Sequence, residues 1–273
     1  MLIVDAQVHI WEKVASESSA TRPEPFRAEE LIGLMNEAGV DRVVLAPTSW
    51  AADGEDGNDL VTAAVKDYPD LFRAFGVLDL ADSRSRDRVL MWRARGLAGF
   101  CLRFHHKHLA PQMTDGTADW IWPAAEEAGV PLTLNVPHHL PKVAEIARDH
   151  PQLRMAIDHL AVGPRHLTEA VDELLDLARC DNVCVKADGV IEHSTEPFPH
   201  ADVQPQICRV VEAFGPRRVF WGTDLTRMWR PGASLAESYR RYVELFTEHL
   251  PCLSGEDLEL VMGRALCEWI GWP

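Results

Sequence analysis

Eight short apolar, β-branched segments recur along the 273 residues, each followed by a stretch with helical periodicity. The strand-like segments are 2–8, 42–48, 72–79, 97–103, 131–136, 154–161, 182–188 and 218–224. The helical stretches are 28–38, 58–67, 84–95, 118–128, 139–149, 166–179, 203–214 and 234–249, with a last helix over about 255–270. Strand starts about 23 to 40 residues apart suit repeated βαβ units, and short buried strands alternating with amphipathic helices imply a parallel sheet covered by helices. Eight such units in a chain of this length predict an α/β fold of one domain over residues 1–273, a closed (β/α)8 TIM barrel rather than an open doubly wound sheet. No Gly-x-Gly-x-x-Gly follows any strand, which weakens the dinucleotide-binding alternative.

Local punctuation agrees. Gly39 and Gly129 stand where helices should stop, and Ser234 with Glu237 fits a capping box. The long irregular stretches 11–27, 47–57, 104–116, 188–202 and 225–233 all follow strands, so they gather on one face of the barrel, where active sites of this architecture are built.

Charge and hydropathy narrow the function classes. A formal net charge of −15 argues against nucleic acid, which needs a basic footprint. No apolar run approaches the ~18 residues of a membrane span, and Met1 to His9 has no basic leader pattern. The expectation is a cytoplasmic enzyme with a small acidic substrate and no nucleic-acid or membrane partner. The apolar tail Trp269–Pro273 is expected either under the barrel or against a second subunit in a homodimer. Six cysteines at 101, 180, 184, 208, 252 and 267 lack zinc-ribbon spacing. All are expected to be reduced and structural, as in cytosolic proteins generally.

Polar groups at the end of a buried strand are costly unless they pair or do chemistry. In the first strand, period-two alternation puts Asp5, Gln7 and His9 on one face and Ala6 and Val8 on the other. Strand four ends at Arg103, followed by His105, His106 and His108. Strand five leads through Asn135 to His138 and His139, and strand six ends with Asp158 and His159. Strand seven supplies Lys186 and Asp188, and strand eight closes with Asp224. Trp50 and Trp229 sit on strand-end loops that could wall a pocket. Each residue alone has a structural explanation: Asp224 as a turn cap, Arg103 paired to an acid, Asp158 as a neighbour's hydrogen-bond partner, the histidines as loop residues. The convergence of His9, Arg103, His159 and Asp224 at one end of different strands favours an active site.

The strings Val4-Asp5-Ala6-Gln7-Val8-His9-Ile10-Trp11, Gly96-Leu97-Ala98-Gly99-Phe100-Cys101-Leu102-Arg103-Phe104, Ile157-Asp158-His159-Leu160 and Trp221-Gly222-Thr223-Asp224 together resemble the amidohydrolase-related (amidohydrolase 2) family. The likeness is to its dicarboxylate and sugar lactonase branch. It implies a (β/α)8 hydrolase in which His9, His159 and Asp224 are catalytic, with Asp224 as general base on water. It departs from the family pattern at two positions: Gln7 stands for the first strand-one histidine, and Asn135 for the strand-five ligand. Amides are poor zinc ligands beside imidazole, so no cofactor is expected. A single divalent Zn or Mn, if bound, would have at most His9, His159 and Asp224.

The expected reaction is hydrolysis of a lactone or similar activated ester carrying a carboxylate. Substrate-binding groups are Arg103, Gln7, His105, Asn135, His138 and Trp50. Two alternatives stand beside it: a metal-dependent decarboxylase or hydratase on the same scaffold, and a non-catalytic barrel that binds a small anion.

Overall fold

The computed structural model describes residues 1–12, 24–47, 54–229 and 232–273. Its strands are β1 (Val4–Ile10), β2 (Arg42–Pro47), β3 (Phe72–Val77), β4 (Gly99–Arg103), β5 (Leu132–Asn135), β6 (Met155–Ile157), β7 (Val183–Ala187) and β8 (Val219–Trp221). They form one parallel eight-stranded sheet in sequence order, and β8 returns to β1, where the Asp224 N–H donates to the Gln7 carbonyl at 3.0 Å. The helices are α1 (Ala28–Ala38), α2 (Gly54–Asp67), α3 (Ser85–Leu90), α4 (Ile121–Ala128), α5 (Leu140–Asp149), α6 (Leu167–Leu174), α7 (Gln204–Phe214), α8 (Leu235–Glu244), α9 (Gly255–Glu259) and α10 (Ala265–Ile270). This is the predicted single-domain (β/α)8 barrel.

The caps behave as their residues dictate. Gly39 and Gly129 are left-handed at the ends of α1 and α4, and the Ser234 hydroxyl accepts the Glu237 N–H at the start of α8. Several predicted helices come out shorter or broken. The α3 helix stops at Leu90, short of the predicted 95, and residues 175–179 continue α6 as a 3₁₀ turn. The last helix kinks at Gly263, where a Cβ would meet Val4 Cγ2 at 2.7 Å, so close packing under β1 forbids any larger side chain.

Two apolar cores result. Side chains of Leu, Ile, Val and aromatic residues fill the layer between strands and helices. A smaller cluster inside the barrel contains Val4, Ala6, Phe75, Cys101, Cys184 and Phe220. The C-terminal segment floors it. Trp269 stacks on Phe75 with centroids 6.1 Å apart, and Trp272 lies under the guanidiniums of Arg42 and Arg73, 4.9 and 4.7 Å from its ring. Of the two expected fates of the tail, it takes the place under the barrel. The floor leaves the opposite, C-terminal ends of the strands as the face for chemistry.

Three expectations are corrected. The register of β1 against β2 shifts between Asp5 and Val8, a bulge that breaks the period-two rule. Val4 and Ala6 therefore face the interior cluster, and Asp5 does not share a face with Gln7 and His9. Instead its carboxylate takes the N–H and hydroxyl of Thr223 at 2.9 and 2.5 Å. Second, Cys208 of α7 and Cys252, after α8, form a disulfide. They lie 44 residues apart, and only helix packing brings their Cα atoms to 5.5 Å, which spacing cannot reveal. Cys101, Cys180, Cys184 and Cys267 remain free and buried, as expected. Third, β6 and β8 end early, at Ile157 and Trp221. Among the described residues no helix is long and apolar enough to cross a membrane.

Candidate active site

Where β6 stops, the chain turns through three consecutive left-handed residues, His159, Leu160 and Ala161, with φ of 55°, 49° and 55°. Asp224, after β8, is also left-handed at φ 50°. Non-glycine residues in this region cost on the order of 1–3 kcal/mol each and persist where the surroundings hold them. Here Asp188, at the end of β7, accepts the His159 backbone N–H at 2.7 Å and stands 3.1 Å from its ring Nδ1. The strain aims His159 and Asp224 at each other.

The centre is built around Asp224. His9 Nε2 lies 3.2 Å from Asp224 Oδ1, and His9 Nδ1 meets the Ala46 carbonyl at 2.9 Å. Both ring nitrogens face oxygen atoms, which fixes the orientation of the ring. His159 Nε2 is 3.9 Å from Asp224 Oδ2, and the Arg227 guanidinium approaches the same oxygen at 3.6 Å. Burial alone would push the Asp224 carboxyl up. The contact with His9 and the charges of His9, His159 and Arg227 outweigh it and hold the group well below the usual carboxylate range. His159 shows the reverse balance. Burial pushes its pKa down, but Asp188 first, then Asp224 and Asp158, lift it to about 9. The ring is thus protonated at neutral pH, with an Nε2–H turned to the centre.

Gln7 completes this group. Its Oε1 accepts from the Lys186 ammonium at 2.7 Å, which leaves its Nε2 facing His159 Nε2 at 3.4 Å. Lys186 is ion-paired to Asp158 at 3.0 Å. Two N–H donors, from Gln7 and His159, therefore converge on the space beside the Asp224 carboxylate. N–H donors turned toward one space suit a carbonyl oxygen that gains negative charge.

This donor set does not fit a divalent cation. The one Gln7 atom able to ligate a metal is bonded to an ammonium, and the atom turned to the centre is an amide nitrogen, which is no ligand. Lys186 adds a buried positive charge within one side chain of the centre. Among the described residues no group of three or more His, Cys, Asp or Glu is arranged to hold a metal.

The remaining predicted residues scatter. Arg103 ends β4 beside Asn135 of β5, and its guanidinium donates to the Pro47 carbonyl across the mouth on β2. Its fork is thus partly committed to the backbone. The Asn135 amide makes no hydrogen bond with any described residue. His105 is exposed and its ring lies tilted against that of His106, with centroids 4.0 Å apart. His138 is exposed on the loop after β5. Trp50 lies outside the described residues, and Trp229 is half-buried after β8. Composition and strand ends did not single out Arg227, which is also paired to Glu192 at 3.1 Å. A cation three residues after Asp224, on the turn that must follow a strand end, was the available signal.

The family model described as Amidohydrolase matches residues 4–265. An L-fucono-1,5-lactonase of Burkholderia ambifaria is 29% identical over 251 residues, covering 81% of this chain and 79% of that protein. Among solved structures, an amidohydrolase from Burkholderia multivorans with bound Zn superposes over 100% of both chains, with a TM-score of 0.83 at 17% identity. A probable 2-pyrone-4,6-dicarboxylic acid hydrolase from Acinetobacter baumannii, with citric acid bound, superposes with a TM-score of 0.75 at 15% identity, over 99% of this chain and 100% of that one. At such identities the structural likeness speaks to the fold.

Proposed function

The chain belongs to the Amidohydrolase family, and from that premise we propose that it is a hydrolase that opens a lactone or similar cyclic ester bearing a carboxylate. One observation carries the reading: a buried Asp224 carboxylate kept ionised by cations, beside a converging pair of N–H donors from Gln7 and His159. The lactonase among its relatives supports the same reaction class.

In the proposed reaction a water held by Asp224 attacks the ester carbonyl carbon and passes one proton to the carboxylate. Such base assistance contributes about 10²–10⁴-fold. The carbonyl oxygen, becoming an oxyanion, accepts the N–H groups of Gln7 and His159, each of which is worth on the order of 10²–10³-fold in analogous sites. The tetrahedral adduct collapses, the ring C–O bond breaks, and the leaving oxygen takes the proton from Asp224 to give the open hydroxy acid. The depressed pKa of Asp224 makes it a weak base but leaves it ionised at neutral pH. Positioning and oxyanion stabilisation then carry more of the barrier than basicity does. Arg103 and Arg227, the guanidiniums at the mouth, are the groups to hold the substrate carboxylate.

A hydrolysis screen over sugar-acid and dicarboxylate lactones, run with and without chelator, tests the reading. At least one lactone should turn over, and chelation should leave its rate unchanged. A chain that turns over no lactone, or whose activity leaves with its metal, contradicts the proposal.

A further inference from the structure

Lys186 reaches from β7 into the barrel beneath the catalytic cluster and is 2% exposed. Its ammonium touches two partners, Gln7 Oε1 at 2.7 Å and Asp158 Oδ1 at 3.0 Å. Asp158 in turn lies against the Cys101 thiol at 3.6 Å. Gln7 and Asp158 are themselves 4% and 1% exposed. A chain of four polar side chains from β1, β4, β7 and the end of β6 thus runs through the interior. Apolar residues of similar volume would pack there at no electrostatic cost, so the network asks for a purpose other than filling space.

The primary amide of Gln7 supplies one. Its two ends are nearly isosteric, and rotation by 180° exchanges donor for acceptor. The competing orientation would set Oε1 against the His159 Nε2–H, a favourable contact that would use up that donor and place lone pairs where an oxyanion develops. The Lys186 ammonium, a charged donor in a site closed to water, binds Oε1 about twice as strongly as a neutral group would.

We propose that Lys186 is a positioning residue for the reaction: by holding the Gln7 carbonyl oxygen it locks the amide with its N–H₂ toward the centre, turning a side chain that could accept into an oxyanion donor. The proposal rests on the hydrolase reading above. Asp158 matches the charge of Lys186 so that this cation can stay buried.

A double-mutant cycle on a lactone found in the screen tests it. Gln7→Leu and Lys186→Met should each lower kcat by about 10²-fold and leave KM within about threefold. The double variant should be no slower than Gln7→Leu alone, because the lysine acts through the amide. Effects that multiply, or an unchanged kcat in Lys186→Met, overturn it. Lys186→Met leaves Asp158 without its counter-charge, so the cycle is repeated in an Asp158→Asn background, where a merely structural role would show no loss on removing Lys186.

A second measurement needs no substrate. The Gln7 side-chain amide signals, identified in ¹⁵N spectra by their loss in Gln7→Leu, should shift in Lys186→Met. Unmoved signals overturn the positioning even where lactone turnover is established. If no lactone is turned over, the hydrolase reading fails and the amide signals still decide whether Lys186 orients Gln7.

Discussion

Asp5 on β1 binds Thr223, just beyond β8, twice with one carboxylate: its oxygens accept the Thr223 N–H at 2.9 Å and the hydroxyl at 2.5 Å. The same carboxylate also accepts the Gln7 N–H at 3.1 Å. These bonds clasp the first and last strands, and the residues that follow the clasp on either side are Gln7, His9 and Asp224. The seam of the barrel and the floor of the site are one construction.

The clasp has a pH signature. Burial raises the Asp5 carboxyl from 3.8 to about 7 against the bonds that lower it. A carboxyl raised on folding contributes stability that is fully present below its unfolded pKa and lost as pH climbs through the folded value. The wild type should therefore lose stability relative to Asp5→Asn between about pH 4 and 7, by on the order of a few kcal/mol at ~1.4 kcal/mol per pKa unit. Urea unfolding of both proteins across that range gives the answer. A stability gap independent of pH would show that Asp5 folds already ionised.

Asp224→Asn should reduce kcat at least about 10³-fold, since it removes both the proton acceptor and the charge. The fold should persist. Asparagine is among the residues that best tolerate a left-handed backbone, and Asp224 has φ 50°. Thermal unfolding alongside single-turnover rates separates the two effects. Near-wild-type turnover in a folded Asn variant would remove Asp224 from its role.

His159 sets the alkaline limit. It is faced by Asp188, Asp224 and Asp158, by the imidazoles of His105 and His193, whose pKa values burial pushes down, and by the Gln7 amide. With a pKa of about 9, its Nε2–H is lost as pH passes that value, and kcat/KM should fall there. The matching stability is present below pH 6.5 and fades through about pH 9. Asp188→Asn removes the first of the carboxylates that raise it, so the limb should move to lower pH by about a unit or more. A pH–rate profile whose limb stays in place in that variant would contradict the role of His159 as a donor.

Reduction of Cys208–Cys252 should lower stability and spare catalysis. The bridge closes a loop of 44 residues, neither of its cysteines is among the residues around Asp224, and a loop of that size contributes about 2–4 kcal/mol. Reductant should lower the melting temperature by several degrees while kcat and KM hold. A changed kcat would tie α7 to the site.

What could be read in the sequence was set by period and position. All eight strands, the helical cover and the strand-end origin of His9, His159 and Asp224 follow from apolar runs that stop at polar residues. The rest depends on geometry that local patterns do not encode. Asp5 left the predicted face because a bulge inserted before Val8 resets the alternation. β6 and β8 end early, and the turns after them carry His159 and Asp224 in left-handed conformations that no local pattern announces. Lys186 and Gln7 are 179 residues apart, and only ring closure makes them partners. Arg103 carried the right charge at the right strand end, yet Pro47 holds part of its fork. Arg227 meets Glu192 and Asp224 only through the turn after β8, which sequence spacing does not encode.

The bulge in β1 has a consequence for redesign. Deleting one residue there would restore regular pleating and swing the clasp's acid into the mouth, adding an anion where the hydrolysis needs positive potential and unbuttoning the barrel in the same stroke. Integrity of the fold and polarity of the catalytic bowl hinge on a single irregularity, so shortening the opening strand is a far riskier edit than recasting any of the loops above it.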